Sequence, residues 1–318
     1  HLSIRRQRQM CIRDRYKGSE KNGNILYIMT LKGEIILMKC KVRTYLKHPG
    51  SLAAFLLTNL AAILTVAVLA FIIVYILVKG VPYLEPQLFA LEYNSDNVSM
   101  LPSLINTFIL VAMSLLIAAP LGIGAAVYMV EYANKGSKIV AAVTITAETL
   151  SGIPSIVYGL FGMLFFVNAC NMKLSILSGA FTVAIMVLPT IMRTTQEALL
   201  SVPVSYREGS FGLGAGKLRT IFKVVLPSAV PGILSGIILS TGRIVGETAA
   251  LIYTAGTVAK IPQSIFSPAR TLSVHMYMLS GEGFNTNQAY ATAVVLLVFV
   301  IAINMLSNYA GRKLSAKR

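Results

Sequence analysis

Six long apolar stretches, at about residues 52–78, 105–130, 139–167, 174–192, 231–254 and 289–309, limit this 318-residue chain to very few folds. Each is long enough to cross a hydrocarbon layer about 30 Å thick as a helix. Inside lipid only helices and closed barrels satisfy every backbone N–H and C=O, and runs of this length are helices. Only 13% of the residues are charged and the mean hydropathy is +0.71, whereas a soluble domain carries about 25% charge. The expected fold is therefore all-α, a polytopic membrane protein with six transmembrane helices. The third stretch is the longest and holds Gly152, Pro154, Gly159 and Gly162, so it is expected to tilt or break. Pro154 cannot donate to the Leu150 carbonyl. That stretch therefore either lines a wet permeation path or packs closely against other helices through its small residues.

The net charge of +16 would suit nucleic acid, but the placement of the charges points to membrane orientation instead. With the N-terminus inside, 23 Lys/Arg fall on that side and only Lys79, Lys173, Lys260 and Arg270 on the other, with Arg243 inside a span. This is the positive-inside pattern, so both termini are expected in the cytoplasm. Residues 1–37 read as a separate basic leader without periodicity, followed by Met38 as a plausible start. They are disordered, not native to the chain, or a tail for nucleic acid or lipid. Without them the balance is still 15 against 4. Cys11, Cys40 and Cys170 show no paired spacing, and with only three His residues neither a disulfide framework nor a metal site is expected.

The segment from about 79 to 102 is acidic and reads as a small folded cap or a solvated connector. The segment from about 260 to 288 carries Pro262 and Pro268 in a partly apolar run, which suits a re-entrant or interfacial stretch. Its His275 stands alone, and a lone His is usually not a ligand.

Between the fourth and fifth stretches, a basic loop at about 194–228 contains EGSFGLGAGKLRTIFKVVLP. Apolar Phe211, Leu213, Leu218, Ile221 and Phe222 are spaced among Arg207, Glu208, Lys217 and Arg219, so the loop can fold on itself. Gly212, Gly214 and Gly216 allow one short helix to turn into another. Such an element either passes a push from a soluble partner into the next span or lies on anionic membrane lipid. GLGAGK is not a phosphate-binding loop. Phe211 stands where its first Gly belongs, and Leu218 follows Lys217 where a hydroxyl should hold magnesium. ATP hydrolysis is thus expected in a separate subunit.

Charges inside the apolar stretches need a partner or a wet cavity, since each costs roughly 2.5–3.5 kcal/mol at the bilayer centre. Arg243 and Glu247 stand four apart, as one helix face would place them. They read either as an anion path, with the planar Arg fork binding an oxyanion and Glu247 tempering it, or as a structural ion pair. Arg193 and Glu197 repeat the spacing at the end of the fourth stretch and read as an interfacial anchor. Glu148 and Glu131 are candidates for gating.

The loop pattern Glu208, Gly209, Ser210, Gly214, Val224, Leu226 and Pro227 resembles the E-A-A-x3-G-x9-I-x-L-P loop of type I ABC importer permeases. With LSGIPSIVYGLFG, GETAALIYTAG and RTLSVHMYML, the chain from about residue 38 resembles the PstA-type permeases of phosphate ABC importers. The PstC-type sister subunits look similar. The resemblance implies a type I ABC importer permease fold over 38–318, in a bacterial or archaeal plasma membrane. It also implies a second, PstC-like permease, two PstB-like ATPases that bind ATP and magnesium, and an extracytoplasmic PstS-like phosphate-binding protein. No cofactor is expected in this chain and no nucleic acid among its partners. Arg207, Glu208, Gly209, Ser210 and Gly214 would form the ATPase-coupling loop, and Arg243 and Glu247 would lie on the phosphate path. A permease for another oxyanion, or a channel or sensor without a motor, are the other readings.

Overall fold

The computed structural model describes residues 49–134, 136–283 and 285–316. The expected leader 1–37 lies outside them. The described residues are helical and contain no strand. The chain divides into two units, residues 1–73 and 74–318. In the first, the described part is the leading portion of an apolar helix, α1 (Pro49–Gly80).

In the second unit, two short 3₁₀ turns, Val81–Tyr83 and Pro86–Phe89, lead to α2 (Leu101–Val127), which runs on as a π-helical turn, Tyr128–Tyr132. Next come α3 (Lys138–Ser151), α4 (Ser155–Gly162) with a π-helical continuation Met163–Ala169, and α5 (Ile176–Leu200). The loop after α5 folds as α6 (Val204–Gly212), α7 (Lys217–Thr220) and a π-helical turn Ile221–Val225, which feeds directly into α8 (Leu226–Val245). The chain ends with α9 (Ala249–Thr254), α10 (Leu272–Glu282) and α11 (Thr286–Ala316). Among the described residues five helices are long and apolar enough to cross a membrane, and six spans result when α3 with α4 and its continuation count as one span bent by 104°.

That bend falls where the sequence interrupts its third stretch. Pro154 is extended (ψ 142°) at the start of α4. The Leu150 carbonyl that it cannot serve accepts instead from the Ile153 N–H at 3.1 Å and the Tyr158 hydroxyl at 2.7 Å. The break is thus satisfied within protein, as membrane depth demands. Gly159 and Gly162 meet neighbours closely. An added Cβ would lie 2.8 Å from the Ala250 Cα at Gly159 and 2.7 Å from the Thr254 Cγ2 at Gly162. These two glycines therefore carry close helix packing, the small-residue contact that replaces the hydrophobic effect in lipid.

α5 is the buried centre, with Ala180, Val183, Ala184, Val187 and Ile191 almost wholly enclosed. A capping box between Ser175 and Ser178 fixes its start. It extends to Leu200, beyond the expected end at 192, so Arg193 and Glu197 are helical rather than terminal. Around it Phe108, Leu116, Leu121 and Val298 stay exposed, as lipid-facing side chains do. The expected fifth span, 231–254, is not one helix. A single rod begins at Lys217 and ends at Val245, the chain breaks over Gly246–Thr248, and α9 continues separately.

The first cap reading holds. Leu88, Val98 and Met100 are buried, and the Ser99 hydroxyl donates to the Leu88 and Ala90 carbonyls. The stretch after α9 is tucked into the protein: Ile176 and Leu177 donate to the Ser267 and Ile265 carbonyls, and Ala269 and Arg270 donate to those of Ala255 and Val258.

Candidate functional site

Two constellations stand out, one at each level of the bundle. The first is the hairpin of α6 and α7. Gly214 joins the two helices at φ +80°, a left-handed conformation that glycine takes without a steric penalty. The Ala215 N–H donates to the Ser210 carbonyl at 3.1 Å, and the Ser210 and Thr220 hydroxyls lie 2.8 Å apart, closing the hairpin side to side. Its outer surface is apolar and open. Leu213 is 91% exposed, and Phe211, Leu218 and Phe222 are exposed around it. An added Cβ at Gly209 would meet nothing within 4 Å. Glu208 is exposed beside it. An exposed apolar patch of this kind marks a surface for a partner protein or for lipid.

Arg207 ties this hairpin to the bundle. Its Nη2 and Nε donate to Glu131 Oε1 at 2.7 and 3.0 Å. Nη2 also donates to the Leu199 carbonyl at 3.0 Å, and Nη1 to the Val202 carbonyl at 2.9 Å. The pair is largely buried, with side-chain exposures of 16% and 10%. One guanidinium thus joins the π-helical end of α2, the end of α5 and the start of α6. Lys217 adds a cation–π contact, 4.9 Å above the Tyr132 ring. The sequence places Arg207 in the loop but gives no sign of its link to Glu131, 76 positions away. The available hint is that the two opposite charges fall on the same predicted side.

The second constellation is at mid-span. Gly232 packs on Ala198 and Gly236 on Thr194. Continuing that antiparallel register puts Arg243 level with Val187, near the middle of the 25-residue α5. Arg243 is half-buried and lines a cavity of about 580 Å³ with Ser235, Leu239 and Asn304. The Asn304 Oδ1 is buried there without a partner.

The expected Arg243–Glu247 pair on one helix face does not form, because α8 ends between them. Glu247 is buried at the break. Its Oε1 accepts the Ala250 N–H at 3.0 Å, serving the first turn of α9, and its carbonyl accepts the Ser273 hydroxyl at 2.6 Å. Among the described residues no carboxylate lies within ion-pair distance of Arg243.

Leu239 also borders a second cavity, about 430 Å³, lined by Thr144, Glu148, Thr190, Arg193 and Glu197. Here Arg193 stands 3.3 Å from Glu197 and 3.9 Å from Glu148. All three side chains are more than half exposed, so these pairs add little stability. The two cavities run in sequence from Arg243 toward the hairpin end. Glu148, Arg193 and Glu197, from α3 and α5, thus line this second cavity, and Arg243 of α8 lines the first.

Residues 118–317 match the family described as binding-protein-dependent transport system inner membrane component. Over 277 residues the chain is 33% identical to the probable ABC transporter permease protein YqgI of Bacillus subtilis, covering 81% of this chain and 94% of that protein. It is 31% identical over 256 residues to the phosphate transport system permease protein PstA of Haemophilus influenzae, covering 79% and 90%. Among solved structures, a chain of a bacterial alginate ABC transporter in complex with an alginate pentasaccharide-bound periplasmic protein superposes with a TM-score of 0.60 at 17% identity. That match covers 80% of this chain and 94% of the other. A chain of the inward-facing MetNI methionine ABC transporter superposes at 0.54 with 20% identity, covering 67% and 93%. At these identities the two structures establish the fold.

Proposed function

The chain belongs to the family of binding-protein-dependent transport system inner membrane components, and from that premise we propose that it is the PstA-type permease subunit of an ATP-driven importer of inorganic phosphate. It forms half of the translocation path and pairs with a PstC-like permease. Two PstB-like ATPases, which hold ATP and its magnesium, supply the energy, one of them docking on the α6–α7 hairpin. A PstS-like binding protein delivers phosphate at the opposite end of the bundle. The hairpin and both termini face the cytoplasm of a bacterial or archaeal cell, in keeping with the Lys/Arg excess on that side.

The observation that carries the cargo reading is Arg243, a mid-span guanidinium that borders an open cavity and, among the described residues, has no carboxylate within ion-pair distance. A planar fork of donors suits a tetrahedral oxyanion, and the low dielectric strengthens the attraction. The likeness to a phosphate permease of similar length supports phosphate among the oxyanions. Glu247 shapes the path by holding the α8–α9 break rather than by pairing with Arg243.

Radiolabelled phosphate uptake in cells lacking the gene tests the reading. Uptake should return only when this chain is supplied with its partners. Restoration of another oxyanion's uptake in place of phosphate's would reassign the cargo. Coupling is tested separately at Glu208, which is exposed at the hairpin. Glu208→Lys should leave the chain folded but weaken capture of the ATPase by about tenfold, as loss of a charged contact does. Unchanged co-purification with coupled transport would remove Glu208 from the docking surface.

A further inference from the structure

At the end of α2 opposite the hairpin, a second arginine is buried without a counter-charge. Arg270 is 4% exposed, and its Nε and Nη2 are enclosed without a hydrogen-bond partner. Its guanidinium lies 4.8 Å over the Tyr93 ring, and no carboxylate among the described residues forms an ion pair with it. It stands two residues before Leu272, where α10 begins. There the positive end of the helix dipole makes a second positive charge unfavourable and an anion favourable.

His275 is wholly buried, stacks edge-on against Tyr93 at 6.0 Å and faces the Val98 backbone. Burial and the nearby Arg270 charge push its pKa down to about 3, so the ring is neutral. Asn106 donates to the carbonyls of Lys260 and Arg270, which leaves its Oδ1 unpartnered. A buried cation without a partner carries a large desolvation penalty. The cap segment that lays Tyr93 over it also contains Val98 at φ +45°. A β-branched residue seldom adopts that conformation, and such strain gathers at functional and switching segments.

We infer that Arg270, with Tyr93 and His275, forms a second anion site beneath the 84–100 cap, taking an inorganic oxyanion of the phosphate class before it reaches Arg243. Arg270 supplies two donors and the neutral His275 a third through one ring nitrogen. The strained cap acts as the lid, lifting Tyr93 to admit the ion. Buried hydroxyls link this site to the α8–α9 break: those of Thr271 and Ser273 lie 3.2 Å apart, and Ser273 donates to the Glu247 carbonyl there. The identity of the ion rests on the phosphate reading proposed above.

The test uses the complete complex in lipid nanodiscs without the binding protein, and equilibrium dialysis of radiolabelled inorganic phosphate. Arg243→Gln should retain phosphate binding that the Arg243→Gln/Arg270→Gln double variant weakens at least about tenfold. Where the Gln variant fails to assemble, Arg243→Gln/Arg270→Lys carries the test. It keeps the buried charge but loses the fork and should still weaken binding several-fold; affinity equal to that of Arg243→Gln overturns the site. Phosphate binding by the wild-type complex but none by Arg243→Gln also overturns it, while leaving the transport reading intact. Arg270-dependent binding of sulfate with indifference to phosphate supports the anion site and overturns phosphate as cargo. No anion bound by any form overturns both.

Discussion

Replacing Arg243 by Gln is expected to abolish phosphate uptake while the permease still assembles with its ATPases. The side chain sits level with the middle of α5 and borders a cavity, and among the described residues it makes no ion pair. Its removal therefore breaks no structural contact that holds helices together. What is lost is a mid-span guanidinium that borders the cavity. A hydrogen bond to a charged group contributes about 1.5–3 kcal/mol, so loss of one such contact to the passing ion lowers transport by roughly 10- to 100-fold, and loss of two lowers it further. Arg243→Lys should be intermediate, because a point charge attracts the ion but does not offer the paired donors of the fork. The measurement is labelled phosphate uptake, normalised to membrane-inserted complex. Normal uptake by a fully assembled Gln variant would sink the assignment. Failure to assemble would instead reveal a structural role.

The second large effect is expected at Arg207. Arg207→Ala should leave Glu131 buried and unpaired and leave the Leu199 and Val202 carbonyls without their charged donor. Breaking a buried pair from one side costs about 3–5 kcal/mol. The cost falls on a joint, because these bonds fasten α6 to both α2 and α5. The hairpin should come loose while the spans, which pack through other residues, remain. ATPase activity should then lose its stimulation by phosphate-loaded binding protein, with basal hydrolysis retained. Glu131→Gln is the milder companion, since the amide still accepts a hydrogen bond from the guanidinium. Arg207→Lys should behave like Ala, because one ammonium cannot reach all three acceptors. If stimulation survives in Arg207→Ala, transmission does not pass through this joint.

Much of this architecture was legible in the residues. Hydropathy located six candidate spans, since an apolar run of about 20 residues has few other uses, but placed the fifth at 231–254 where the helix runs from Lys217 to Val245. The Gly-Pro interruption announced the α3–α4 break, and the hairpin followed from three glycines between amphipathic turns. The site was less legible. A spacing of four suggested a shared helix face for Arg243 and Glu247, but spacing assumes that the helix continues. Instead α8 ends at Val245, and α9 packs as a separate helix against Gly159 and Gly162, far away in sequence. His275 looked like a solitary loop histidine because Tyr93, which packs on both it and Arg270, comes from another segment.

From the residues alone followed the class of fold, the approximate positions of the membrane spans, the expected orientation and a loop able to fold on itself between the fourth and fifth spans. Those properties depend on local composition: apolar length, charge sidedness and the conformational freedom of glycine. Only the tertiary structure decided which charges are partnered. Arg207 and Glu131 bind each other across 76 residues, Glu247 serves a backbone N–H, and Arg243 and Arg270 are left without carboxylates. The physical reason is range. An ion pair or an orphaned guanidinium is defined within a few ångströms, and helix register rather than sequence separation sets which groups come that close.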